Sequence, residues 1–135
     1  MLAKPSDAPV VQPGGEFLTK LRDERVSLFG KDRVLLAPLV YYSPLLADLI
    51  IVPEHFVTDY ASVPRAPLTY WLFGGIGDEA AVVHDFLYEK GLVLRDLADQ
   101  IYGEALTACG EPAWRRTPMV LAVRMFGASR YLEQR

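Results

Sequence analysis

Asp78-Glu-Ala-Ala-Val-Val-His-Asp-Phe-Leu-Tyr88 decides how the rest of the chain is read. The stretch predicts a helix. Asp78 is a good N-cap, and Glu79 falls in the first turn, where an acidic side chain meets the positive end of the helix dipole. Ala80, Val83 and Leu87, with Ala81 on a flank, recur at helical spacing and are expected to face a core. His84 and Tyr88 are one turn apart and share a face, with Asp85 beside them. An imidazole next to a carboxylate inside an apolar helix is costly unless both find partners, a metal or water. Glu89-Lys-Gly91 then closes the helix with a cation and a glycine stop.

Working outward, Arg95-Asp-Leu-Ala-Asp-Gln-Ile-Tyr102 predicts a second helix. Asp96 is its expected N-cap, and Leu97, Ala98, Ile101 and Ala105 lie on its buried side. Cys109-Gly110 ends it. A third helix runs from Ala113 to the neighbourhood of Gly127, anchored by Trp114, Met119, Val120, Val123 and Phe126, with Arg115, Arg116, Arg124 and Arg130 on its exposed parts. Upstream the texture is β. Arg25-Val-Ser-Leu-Phe29, Arg33-Val-Leu-Leu-Ala37, Leu39-Val-Tyr-Tyr42 and Asp48-Leu-Ile-Ile-Val52 are short runs punctuated by Gly30-Lys-Asp, Pro38, Ser43-Pro44 and Pro53. One of Tyr41 and Tyr42 should face the core, and His55 is expected at the surface. The expected fold is α+β: a small antiparallel sheet from the N-terminal half, packed by two to three C-terminal helices that include an antiparallel pair. Residues 1–16, with Pro5, Pro9, Pro13, Gly14 and Gly15, read as an extended arm, either a loose terminus or a segment that packs on a neighbouring subunit, and residues 17–135 as a single domain.

At 135 residues the chain is long enough for one core without staples. A net charge of −3 gives no electrostatic case for nucleic acid. Cys109 is the lone cysteine, so no internal disulfide forms and a four-cysteine zinc site is excluded. The N-terminus lacks the basic-then-apolar pattern of a secretion signal, and no run approaches the length of a membrane helix.

Val57-Thr-Asp-Tyr-Ala-Ser-Val-Pro-Arg65 is the second informative stretch. Asp59 is either an Asx-type turn former bonded to its own backbone or a carboxylate on a loop beside the histidine helix. Tyr70-Trp-Leu-Phe73 and Gly74-Gly-Ile-Gly77 lack the spacing of a dinucleotide loop, so phosphate binding is rejected there. The chemical candidates are therefore Asp59, His84, Asp85, Tyr88 and Asp99. If the first two helices pack antiparallel, Asp99 reaches His84 and fixes its tautomer, leaving the other ring nitrogen to take a proton from water. Asp85 and Asp59 offer oxygens suited to calcium, which would stabilise a developing oxyanion. Against this stands the plain alternative that Asp99 merely helps its helix to start and the cluster is a satisfied buried network.

Two resemblances extend these readings. Val52-Pro, Phe56-Val-Thr-Asp-Tyr-Ala-Ser-Val-Pro-Arg65, Ala81-Val-Val-His-Asp-Phe-Leu-Tyr88 and Arg95-Asp-Leu-Ala-Asp99 together resemble an uncharacterised family of small phage and prophage proteins, over roughly residues 25 to 127. That resemblance implies a bacteriophage or prophage origin. The order Asp59, His84-Asp-Phe-x-Tyr88, then Asp99 with Tyr102 is similar to the secreted bacterial and fungal phospholipase A2 proteins. By that resemblance His84 is the general base, Asp99 its orienting partner, Asp85 and Asp59 calcium ligands, and Tyr88 a donor supporting Asp99. Those phospholipases are disulfide-braced and have a longer interval between the histidine and the second aspartate.

Two functions from different classes follow. One is a phage-encoded, calcium-assisted hydrolase acting on host envelope lipid. The other is a virion, tail or baseplate component that contacts phage structural proteins and uses the cluster only to hold its helices together. A lysis accessory protein is a third. Each would be made in the bacterial host cytoplasm, with incorporation in the virion belonging to the second.

Overall fold

A computed structural model of the chain describes residues 15–28, 30, 32–58, 77–127 and 131, with the side chain of Phe126 excepted. The fold is α+β. Among the described residues six strands come first: β1 (Glu16–Phe17), β2 (Asp23–Arg25), β3 (Arg33–Leu35), β4 (Leu39–Ser43), β5 (Asp48–Val52) and β6 (Val57–Thr58). Three helices among the described residues follow: α1 (Asp78–Lys90), α2 (Arg95–Ala108) and α3 (Ala113–Phe126).

The β half is divided into two antiparallel three-stranded sheets, ordered β1-β4-β5 and β2-β3-β6, where a single sheet was expected. Proline explains the division. Pro38 lies between β3 and β4 and offers no backbone donor, so the ladder cannot run through it. Pro53 separates β5 from β6 in the same way, and the turn after it carries His55 at a positive φ of 74°. Within the first sheet the period-2 pattern sorts the faces. Leu39 pairs with Val52 and Tyr41 with Ile50 on the buried side, whereas Tyr42 and Leu49 pair on the exposed side. Tyr41 is thus the tyrosine in the core. The strand predicted over 25–29 is displaced: β2 ends at Arg25, and residues 26–28 belong to the loop of a hairpin whose register puts Arg25 opposite Arg33. An ion pair sets that register, with Arg33 Nε 2.9 Å from Asp23 Oδ2.

Helix α1 is buried on every side. All residues from Ala80 to Tyr88 are in the interior, so the one-sided face predicted for it was too narrow. It packs against α2 and against strands β5 and β6, as the central helix of a layered core must. Its start differs from expectation. Asp78 is the first helical residue, not the cap: Gly77 holds the N-cap position at φ 67° and ψ 33°, without a side-chain cap bond. Gly77 fits there because a Cβ would come 2.5 Å from Leu106 on α2 and would have to adopt a left-handed backbone. The end is as predicted, with Gly91 at φ 59° and its N–H on the Leu87 carbonyl. The cap of helix α2 likewise lies earlier than expected, by two residues. Leu94 is its N-cap, and Asp96, in the first turn, accepts a bond from Gln100 instead of capping the helix.

In α3, Met119 and Val123 are the buried anchors, and Val120 is half-buried. Trp114, predicted as a core anchor, is exposed. The reason is positional: it lies one turn from Pro118 and two from Leu121, on the face opposite the one that Met119 and Val123 turn towards α2. No helix among the described residues is long and apolar enough to cross a membrane. Of the arm predicted over residues 1–16, all but Gly15 and Glu16 lies outside the described residues, as does the aromatic stretch from Pro67 to Ile76.

Candidate functional site

The pairing of α1 with α2 is antiparallel, and contacts along the seam show it. Tyr88 meets Arg95, His84 meets Asp99, and Glu79 lies beside Cys109. The link between the two helices is too short for any other arrangement, and the helical periods of the two sequences put these residues on facing sides.

At the centre of the seam His84 Nε2 lies 2.8 Å from Asp99 Oδ1. The hydroxyl of Tyr88 donates to that same oxygen at 2.6 Å. Arg95 Nε donates to the Tyr88 hydroxyl at 3.2 Å and stands 3.9 Å from the other carboxylate oxygen of Asp99. The direction of the chain of bonds follows from its first member. A guanidinium only donates, so the Tyr88 oxygen accepts from Arg95 and passes its own proton towards Asp99. With a carboxylate accepting, Nε2 carries the histidine proton, and any proton exchanged with a reacting group runs through Nδ1. Burial, reinforced by the bond to Asp99 and its charge, raises the Tyr88 hydroxyl far above the ordinary tyrosine range and keeps it a donor.

Aromatic rings hold the imidazole. The Tyr88 and Tyr102 ring centroids lie 4.1 and 4.9 Å from that of His84, both tilted. Tyr131 packs edge-on against Tyr88 at 5.3 Å, and its hydroxyl donates to the Val93 carbonyl. The side chains of His84 and Asp99 are 3% and 2% exposed, so the dyad is sealed. Asp85 is buried next to it in sequence.

Of the predicted site residues, His84, Tyr88 and Asp99 are brought together as expected. Asp59 lies outside the described residues; it follows Thr58, the buried last residue of β6, a strand that touches α1. Among the described residues no group of three or more histidine, cysteine, aspartate or glutamate side chains is placed to hold a metal ion. Asp85 is the one predicted calcium ligand among them, and it is a single carboxylate donor. His55 is a surface residue, its side chain 82% exposed.

Sequence reasoning missed two contributors. Arg95 buttresses Tyr88 and also donates to the carbonyls of Val123 and Arg124, so it fastens α3 to the site. Its spacing of four from Asp99 was the available signal. Gly127 is the other: a Cβ there would come 2.6 Å from the Tyr88 hydroxyl and would collide with the Val123 carbonyl. Nothing short of the packed structure reveals that.

Residues 33–123 match the sequence model of one protein family, described as Protein of unknown function (DUF1353). The quoted motifs from Val52 to Asp99 all fall within the matched span, and the family is an uncharacterised one, as the first resemblance implied. No curated protein and no solved structure gives a significant match.

Proposed function

We propose a catalytic reading for this chain, which belongs to the DUF1353 family: a bacteriophage or prophage hydrolase acting on an ester of the host envelope, in the manner of a phospholipase A2. The observation that supports it is the convergence of His84 and Tyr88 on one oxygen of Asp99, at 2.8 and 2.6 Å. A carboxylate fixed by a tyrosine, itself fixed by an arginine, orients an imidazole for general-base work. His84 Nδ1 removes a proton from water as the water oxygen bonds to the ester carbonyl carbon. Asp99 stabilises the imidazolium that results. When the tetrahedral adduct collapses, the C–O bond to the alcohol breaks and the imidazolium returns its proton to that oxygen. Asp85 and Asp59 would hold calcium, which when bound supplies positive charge opposite the developing oxyanion.

One observation favours a second reading. His84 and Asp99 are almost fully sealed, as a network that only pins α1 to α2 in a virion or tail component would be. The test is fatty-acid release from phospholipid vesicles by the purified full chain, with millimolar calcium or with chelator. The catalytic reading expects release that His84→Ala and Asp99→Asn abolish and Asp85→Asn makes independent of calcium. Folded wild-type protein that releases no fatty acid under either condition overturns it in favour of the pinning network.

A further inference from the structure

We infer that helix α3 is a docking surface for an anionic phospholipid bilayer, separate from the His84 dyad and independent of whether that dyad turns substrate over. Trp114, Pro118, Leu121 and Met125 follow at intervals of four, three and four, which aligns them on one face of the helix. That face is bare: Trp114, Leu121 and Met125 are 67%, 53% and 70% exposed. Large apolar side chains grouped in this way on a protein surface mark a place of contact.

The rim of the stripe says what the contact is with. Helix α3 carries Arg115, Arg116 and Arg124 and no acidic residue, although the chain as a whole has a net charge of −3. Arg124 borders the stripe on one side, and Arg116 lies beyond it, on the far side of the groove that Leu121 helps to line. On the other side of the stripe, the Arg115 guanidinium lies 5.1 Å from the centre of the Trp114 ring. Arg124 is held loosely, with Asp96 3.9 Å away, while Arg115 is 3.7 Å from Glu111 and Arg116 donates to the Glu111 carbonyl at 2.9 Å. An exposed pair such as Arg124–Asp96 exchanges readily for phosphate oxygens.

Between α2 and α3 lies a groove of about 250 Å³ lined by Gly103, Arg116, Thr117, Val120, Leu121 and Arg124. Its lining combines two guanidinium groups and a hydroxyl with the apolar side chains of Val120 and Leu121, a combination that fits a phosphodiester headgroup with the start of its acyl chains. Gly103 keeps the floor low, since a Cβ would press on Val120 at 3.2 Å. An exposed helix face that carries tryptophan and leucine beside arginines suits contact with a bilayer interface, where the apolar groups enter the acyl boundary and the guanidinium groups meet phosphates. A second copy of the chain fits less well. Self-complementary packing of α3 sets one arginine rim against the other with no acidic residue on the helix between them.

The full chain carrying Trp71→Phe leaves Trp114 as its one tryptophan reporter. With phosphatidylglycerol vesicles its emission should shift to the blue and be quenched by brominated acyl chains, and with phosphatidylcholine vesicles it should change little. Arg116→Gln with Arg124→Gln should weaken vesicle affinity about 25-fold, at about fivefold for each arginine. Leu121→Asp with Met125→Asp should abolish binding, and 0.5 M salt should release the protein, on the order of what screening at that strength predicts. His84→Ala should bind vesicles as wild type does, so loss of catalysis and loss of docking are told apart. Flotation of the unaltered chain with the same vesicles guards against a folding defect in the reporter variant. Folded protein that ignores phosphatidylglycerol overturns the inference. So does binding indifferent to the aspartate substitutions, or a dimer that those substitutions dissolve while no vesicle is bound.

Discussion

His84 Nε2 and Asp99 Oδ1 meet at 2.8 Å across the seam of two antiparallel helices, fifteen residues apart in the chain. The same Asp99 oxygen receives the Tyr88 hydroxyl, so two donors on α1 are tied to one acceptor on α2. The sequence from Arg95 to the Tyr88 hydroxyl to Asp99 is cooperative, because the Arg95 bond makes the hydroxyl a stronger donor, whereas the two donors that share one Asp99 oxygen compete for its electron density.

Tyr88→Phe tests that coupling. It removes one donor from Asp99 and strips Arg95 Nε of its acceptor, at a cost of about 1–3 kcal/mol in urea unfolding. A cycle with His84→Ala should show a coupling above about 0.5 kcal/mol. Additive losses would mean that the two bonds to Asp99 are independent.

Gly127→Ala should damage the same site from behind. The new Cβ enters the space of the Tyr88 hydroxyl, and overpacking of this kind costs about 1–3 kcal/mol. Gly91→Ala is the control, since nothing lies within 4 Å of its Cβ position. There the cost is only the left-handed backbone, about 1 kcal/mol. The imidazole N–H resonance of His84 should broaden in the first variant and stay sharp in the second.

The helical half was legible in the sequence because its signals are local. Gly91, Cys109-Gly110 and the apolar spacing of α2 depend on neighbours a few residues away. Asp99 was legible for a related reason: a short link between two amphipathic helices leaves few ways for them to pack. The two-sheet division was harder to read, because a proline says where a ladder stops and not which strand the chain joins next. β1 and β6, two residues each, carry no periodicity at all. Trp114 misled because a large aromatic is counted as core by composition, while its side of α3 is decided by where α2 lies. Arg95 and Gly127 owe their roles to α3 closing over Tyr88, a tertiary relationship with no local pattern.

Cys109 should be a poor nucleophile in the folded protein. Burial, with the charge of Glu79 adding to it, pushes its thiol up to about 12. At pH 8 that leaves roughly a thousandfold less thiolate than an ordinary thiol has, so reaction with a disulfide reagent should be slower in native protein than in urea by about that factor. The sign for stability follows. Folded protein prefers the protonated thiol, so this contribution is whole below about pH 9 and declines as the pH rises from there towards 12. Cys109→Ala should flatten that part of the alkaline limb. Equal reaction rates in buffer and urea would show the thiol to be open.

Glu104 performs for the sheet what Asp99 performs for α1. From α2 it accepts the Tyr41 hydroxyl at 2.7 Å through one oxygen and the Leu45 N–H at 2.8 Å through the other, so it fastens β4 and the turn after it to the helix. Burial and the Glu104 carboxylate raise the Tyr41 hydroxyl far above its ordinary range, which keeps it a donor throughout the working pH range. Glu104→Ala leaves that buried hydroxyl without its acceptor and should cost about 1–3 kcal/mol. Tyr41→Phe, which removes donor and demand together, should cost less than Glu104→Ala. Hydrogen exchange gives the location: amides of β4 and β5 should speed up in Glu104→Ala while those of α1 around His84 keep their protection. Faster exchange spread evenly over α1 and the sheet would mean that Glu104 supports the whole core and not the one contact.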